Sequence, residues 1–144
     1  MRIKRVVELL VRKYGTRDPI KIASLMGIKI EYRNLKGIWG YFQMYLRIPV
    51  IHIAYNLPEN LILFVIAHEL AHRILHPGIN VPFLRANTLQ SVDKIERQAN
   101  QFAVELLIPD KLITEGASIY DAASVCGVPE EVAHLKSEVV HKCI

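Results

Sequence analysis

The chain has 144 residues, 51% hydrophobic and 22% charged, with a net charge of +4 and an isoelectric point near 9.1. That length and apolar content suit one packed domain, 1–144, and exclude a disordered or low-complexity chain. Two cysteines, Cys126 and Cys143, with no CxxC pair, exclude a disulfide scaffold and a thiolate zinc site, and point to a reducing cytoplasm.

From the N-terminus, Val6, Val7, Leu10, Val11 and Tyr14 recur at helical spacing, so Ile3 to Tyr14 is predicted as a helix that Gly15 stops. Its apolar run is broken by Glu8, Arg12 and Lys13, so it is not read as a signal peptide. The basic residues gathered here (Arg2, Lys4, Arg5, Arg12, Lys13) are accounted for by a solvated helix face. Asp18-Pro19 supplies an N-cap and a first-turn proline for a short helix to Met26, which Gly27 ends. Ile28 to Tyr32, Ile38 to Leu46 and Pro49 to Ala54 are candidate strands, most economically arranged as a small antiparallel sheet. These elements make up an N-terminal part, residues 1–56.

Asn56 is the expected cap of the next helix, with Pro58 and Glu59 in its first turn and Pro77-Gly78 beyond its end near His76. Leu61 to Ala67 makes that helix apolar nearly all round, hence buried, yet the stretch is too short to cross a bilayer. A loop from Pro77 to about Leu89 and an amphipathic helix from about Ser91 to Leu107 complete a second part, 57–109. The third, 110–144, reads as helical and broken at Gly127-Val128-Pro129.

The buried helix contains His68-Glu69-Leu70-Ala71-His72, an HExxH sequence. Histidines four apart stand one turn above each other, so both imidazoles can reach one ion, and Glu69 between them can take a proton from a water there. As ordinary core residues, the pair and Glu69 would carry an uncompensated burial cost that a divalent ion removes. Catalytic zinc keeps three protein ligands. Leu75 and Gly78 exclude the HExxHxxGxxH pattern, so a carboxylate from the later helix is needed. Glu96 shares a face with Ala99, Asn100, Ala103 and Leu107 and is the first candidate, with Asp93 the alternative. Glu105 falls roughly opposite and is expected in solvent.

HELAH, together with Glu96-Arg97-Gln98-Ala99-Asn100-Gln101-Phe102-Ala103 leading to Leu106-Leu107-Ile108-Pro109, resembles the ImmA/IrrE family of metallopeptidases. The family pattern is similar to HELGH followed by E-x-E-A-N-x-F-A-x-x-L-L-x-P. The resemblance runs from about Pro19 to Pro109 and takes in the Gly40-Tyr41 strand and His76. It implies an α+β, zincin-like minimal metallopeptidase domain, its small antiparallel sheet packed on the active-site helix. It also implies a zinc endopeptidase holding one Zn2+ ion through His68, His72 and Glu96, with Glu69 as general base and Asn100 supporting the site one turn from Glu96. Gln98 stands where glutamate is usual and Ala71 where glycine is common, and neither change falls on a ligand. No helix-turn-helix domain precedes the motif, so the chain resembles the stand-alone type. The resemblance implies that the substrate of that type is a separate transcriptional repressor of a mobile element or phage.

Tyr41, Tyr45, His76 and His134 are the residues from which oxyanion stabilisation could come. Cross-strand packing is the expected role of Tyr41 and Tyr45, a supporting place at the helix end that of His76, and an ordinary strand position that of His52. The tail from Ile119 to Val140 has a helix-turn-helix cadence, but Pro129-Glu130-Glu131 would open its second helix with charges that repel phosphate. Direct nucleic-acid contact and membrane association are therefore not expected. The competing reading is a zinc-containing regulatory or toxin–antitoxin protein that grips a repressor with little proteolysis.

Overall fold

A computed structural model describes residues 2–79 and 82–139. Helix α1 (Ile3–Tyr14) ends as its sequence dictates, with Gly15 at φ 70° returning its N–H to Val11. In α2 (Pro19–Leu25), Asp18 accepts the Ile20 N–H at 2.9 Å. Strands β1 (Lys29–Arg33), β2 (Gly40–Tyr45) and β3 (Ile48–Ala54) follow, then α3 (Glu59–Leu75), α4 (Arg85–Leu89), α5 (Lys94–Leu107), α6 (Asp110–Thr114), α7 (Ile119–Cys126) and α8 (Glu130–Ala133). The class is α+β, as expected. No helix among the described residues is long and apolar enough to cross a membrane.

The sheet order is β1-β3-β2. β2 and β3 form an antiparallel hairpin closing at Tyr45 opposite Ile48, but β1 pairs with β3 in parallel, from Lys29 opposite Val50 to Arg33 opposite Ala54. The sheet is therefore mixed rather than wholly antiparallel. β3 is buried from Val50 to Ala54 and so takes the centre. The 34–39 connection carries the chain past it to the far edge, two strand spacings or about 10 Å away. The hairpin turn is made by Leu46 and Arg47 at φ 48° and 68°, the left-handed pair that a two-residue turn requires.

Ile51, Ile53 and Phe42 share one core with Phe64, Val65 and Leu70 of α3 and with Phe102, Ala103 and Leu106 of α5. Gly40 allows the closest approach: a Cβ there would lie 2.8 Å from Val65 Cγ1 and 2.9 Å from the His52 carbonyl oxygen, so only glycine brings β2 so near α3.

Three further expectations are corrected. α3 begins at Glu59 with Pro58 at its N-cap and without a side-chain cap, so Asn56 does not cap it. The stretch expected as loop up to Leu89 holds the short helix α4. Glu105 is buried, because the chain after α8 covers that side of α5. Lys136 Nζ lies 3.4 Å from its Oε1, and the Ser137 N–H and O–H both donate to the same oxygen at 2.9 and 3.0 Å. Lys136 also reaches Asp110 at 2.6 Å, and Lys4 reaches the other Asp110 oxygen at 2.8 Å. α1, α5, α6 and the tail are thus tied by one set of charges.

Candidate metal centre

α3 is apolar on almost every side, so packing buries it from Phe64 to His72 and carries His68, Glu69 and His72 inside with it. α5 crosses it, and its start is fixed by Asp93, whose carboxylate accepts the N–H groups of Ile95 and Glu96 at 3.0 and 3.3 Å. Asp93, the alternative ligand, is therefore a helix cap. Glu96 faces the histidines: its Oε1 lies 2.7 Å from His72 Nε2 and 3.5 Å from His68 Nε2, and the two Nε2 atoms are 3.1 Å apart. Ligands at about 2.0–2.2 Å around a tetrahedral zinc stand about 3.3–3.5 Å from one another. The observed triangle, with sides of 2.7, 3.1 and 3.5 Å, is of that order and tighter on two of its sides.

Electrostatics point the same way. Among the described residues, both Glu69 carboxylate oxygens and Glu96 Oε1 are buried without a hydrogen bond, an arrangement that costs free energy unless a cation answers it. Burial, with the Glu96 charge second, pushes the Glu69 carboxyl well above the ordinary glutamate range. Burial would also raise Glu96, but the two adjacent imidazoles outweigh it and hold the carboxyl at about 2. For His68 burial dominates and lowers its pKa against the pull of Glu96, favouring the neutral imidazole that a ligand must present. Two imidazole nitrogens and the Glu96 carboxylate, with the Glu69 carboxyl alongside, make a donor set that fits a divalent ion of the zinc type.

Each ring is held from behind. His68 Nδ1–H donates to Asn100 Oδ1 at 2.8 Å, and the Asn100 amide donates to the Thr88 carbonyl at 3.0 Å. Phe83 packs edge-on against the His68 ring, with centroids 4.6 Å apart. His72 Nδ1 lies 3.1 Å from His76 Nδ1, whose Nε2 is 2.8 Å from Gln98 Oε1. The structure thus brings together His68, Glu69, His72, Glu96, Asn100 and His76. Tyr41 and Tyr45 stand on the opposite sheet face, where Tyr41 stacks on His52 at 4.4 Å, and His134 is exposed at the end of α8. His52 stands on β3, as expected. It is buried, accepts from Arg33 Nε at 2.9 Å and bonds Gln43 Oε1 at 2.8 Å. Sequence reasoning missed Phe83, which fell in a predicted loop, and Gln98, although His76 stands four residues after His72 on the same helix face.

On one side of the histidines is a cavity of about 60 Å³ between Phe42, Met44, His72, Arg73 and Ile79; on the other, a hollow of about 390 Å³ reaches Glu96 past Leu84 and Thr88. β2 is an edge strand. With the hairpin closing at Tyr45–Ile48, Tyr41 and Gln43 bond to β3, and the backbone groups of Phe42 and Met44 turn to the other edge, which no named strand of the described residues pairs. At Gly40 that edge is taken by Phe83, whose N–H donates to the Gly40 carbonyl at 2.8 Å.

The peptidase M78 family, described as the IrrE N-terminal-like domain, matches residues 23–138. The chain is 42% identical over 139 residues to the uncharacterized immunity region protein 2 of Bacillus phage phi105, covering 93% of this chain and 88% of that one. It is 34% identical over 147 aligned positions to the metallopeptidase ImmA of Bacillus subtilis (strain 168), covering 93% of this chain and 83% of that one.

Proposed function

Since the chain belongs to the IrrE N-terminal-like peptidase family, we propose that it is a zinc-dependent endopeptidase. Its substrate is a protein, a helix-turn-helix transcriptional repressor of a phage or mobile element, cut in the cytoplasm where such a repressor acts. The observation that carries this reading is the meeting of His68, His72 and Glu96 from two helices within 3.5 Å of one another, beside a buried Glu69 without hydrogen-bond donors. The immunity-region name of the phage relative supports the repressor as substrate.

His68 and His72 offer Nε2, and Glu96 a carboxylate oxygen, to the ion. When bound, a zinc ion acidifies a water and polarises the scissile carbonyl. Glu69 takes the proton of the attacking water and returns it to the leaving amine, so water is divided between the new carboxylic acid and the new amine. The edge-facing backbone groups of Phe42 and Met44 hold an extended substrate segment by strand pairing, with a small side chain in the neighbouring 60 Å³ cavity.

The test is incubation of the zinc-loaded protein with the repressor encoded beside it. Cleavage that stops on chelation, and that Glu69→Gln abolishes while zinc stays bound, is the expected result. Complex formation that survives chelation, with the repressor intact, would select the binding protein instead.

A further inference from the structure

We propose that Gln98 is a positioning residue for the metal: acting through His76, it decides which nitrogen of His72 carries the proton. The inference rests on the metal-binding reading above and adds a residue outside the ligand set.

With His72 and His76 each carrying one ring proton, the chain of contacts allows two arrangements. Gln98 Oε1 lies 2.8 Å from His76 Nε2, and an amide oxygen can only accept, so His76 carries its proton on Nε2. Its Nδ1 then has a lone pair, and at 3.1 Å it accepts the proton of His72 Nδ1. His72 is left with a bare Nε2, and this is the atom that faces His68 Nε2 at 3.1 Å and Glu96 Oε1 at 2.7 Å. Turning the Gln98 amide over reverses every step. The amide N–H would donate to His76 Nε2, His76 would donate from Nδ1, and the His72 proton would sit on Nε2, pointed into the ligand cluster.

His68 has no such freedom. Its acceptor, Asn100 Oδ1, is oriented by the bond from Asn100 Nδ2 to the Thr88 carbonyl. The two histidines are thus prepared differently, one by an amide locked to backbone and the other by an amide on the half-buried side of α5. Partners of this kind typically carry ten- to a hundredfold in metal affinity.

The experiment is a zinc competition titration against a chromophoric chelator for the wild type, Gln98→Leu and Gln98→Glu. A carboxylate can only accept, so Gln98→Glu binds zinc as well as the wild type or more tightly. Gln98→Leu, which removes the acceptor, binds about 10–100-fold more weakly. In the zinc-loaded wild type, heteronuclear NMR of isotope-labelled histidines shows the proton of His76 on Nε2 and that of His72 on Nδ1. Unchanged affinity in Gln98→Leu, or a His76 proton on Nδ1, overturns the inference and leaves the protease reading standing. A wild type that binds no zinc removes both.

Discussion

Glu96 and Asp93 stand three residues apart on one chain segment and do different work. Asp93 spends its carboxylate on the two N–H groups that open α5, whereas Glu96 turns its own toward two imidazoles. Glu96→Ala is expected to lower zinc occupancy, read by metal analysis after dialysis. Asp93→Ala is expected to keep the metal and cost about 1 kcal/mol of stability through the lost cap. Full zinc occupancy in the first variant would remove Glu96 from the ligand set. At this scale the sequence is legible wherever helical periodicity does the placing. His68, Glu69 and His72 follow from their spacing, and Glu96 from its face. Glu105 was misplaced by the same logic, because a helical wheel does not register that Lys136 and Ser137 arrive from a distant tail to cover it.

The β2–β3 hairpin shows what local sequence hides between elements. Leu46 and Arg47 occupy left-handed backbone positions that asparagine and glycine fill most readily. The double substitution Leu46→Asn, Arg47→Gly is expected to raise stability by about 1–2 kcal/mol, read as an increase in thermal midpoint, since the turn keeps its left-handed backbone with residues that adopt it at lower cost. A lowered midpoint would mean that the side chains, Leu46 78% exposed, contribute more than their backbone costs. Alternation of side chains revealed the strands but not their neighbours. β1 and β2 adjoin in sequence, and only the deeper burial of β3 explains why it comes between them with β1 alongside in parallel.

Across the whole molecule, the tail is clasped to the body by Lys136, Asp110 and Lys4. Burial would raise the Asp110 carboxyl, but Lys136 and Lys4 outweigh it and hold it below its ordinary value. A carboxylate depressed in the folded state stabilises fully above the unfolded pKa of about 3.9, and that contribution is lost as pH falls through the folded value. The difference in stability between the wild type and Asp110→Asn is therefore expected to stay constant from about pH 5 to 7 and to shrink below about pH 4. A constant difference down to the lowest pH would separate Asp110 from the clasp. Binding to the folded state alone adds about 2.7 kcal/mol when free zinc is a hundredfold above its dissociation constant, so chelation should lower the thermal midpoint of the wild type and leave Glu96→Ala nearly unmoved.

Phe83 closes the β2 edge at Gly40, so under the proposed function a substrate segment following Phe42 and Met44 would have to veer off after a short stretch. A rigid element of a folded protein cannot make that detour, whereas a frayed or transiently opened segment can. The rate at which a target is cut would then track how often the target itself comes undone, and whatever loosens it would hasten its own destruction.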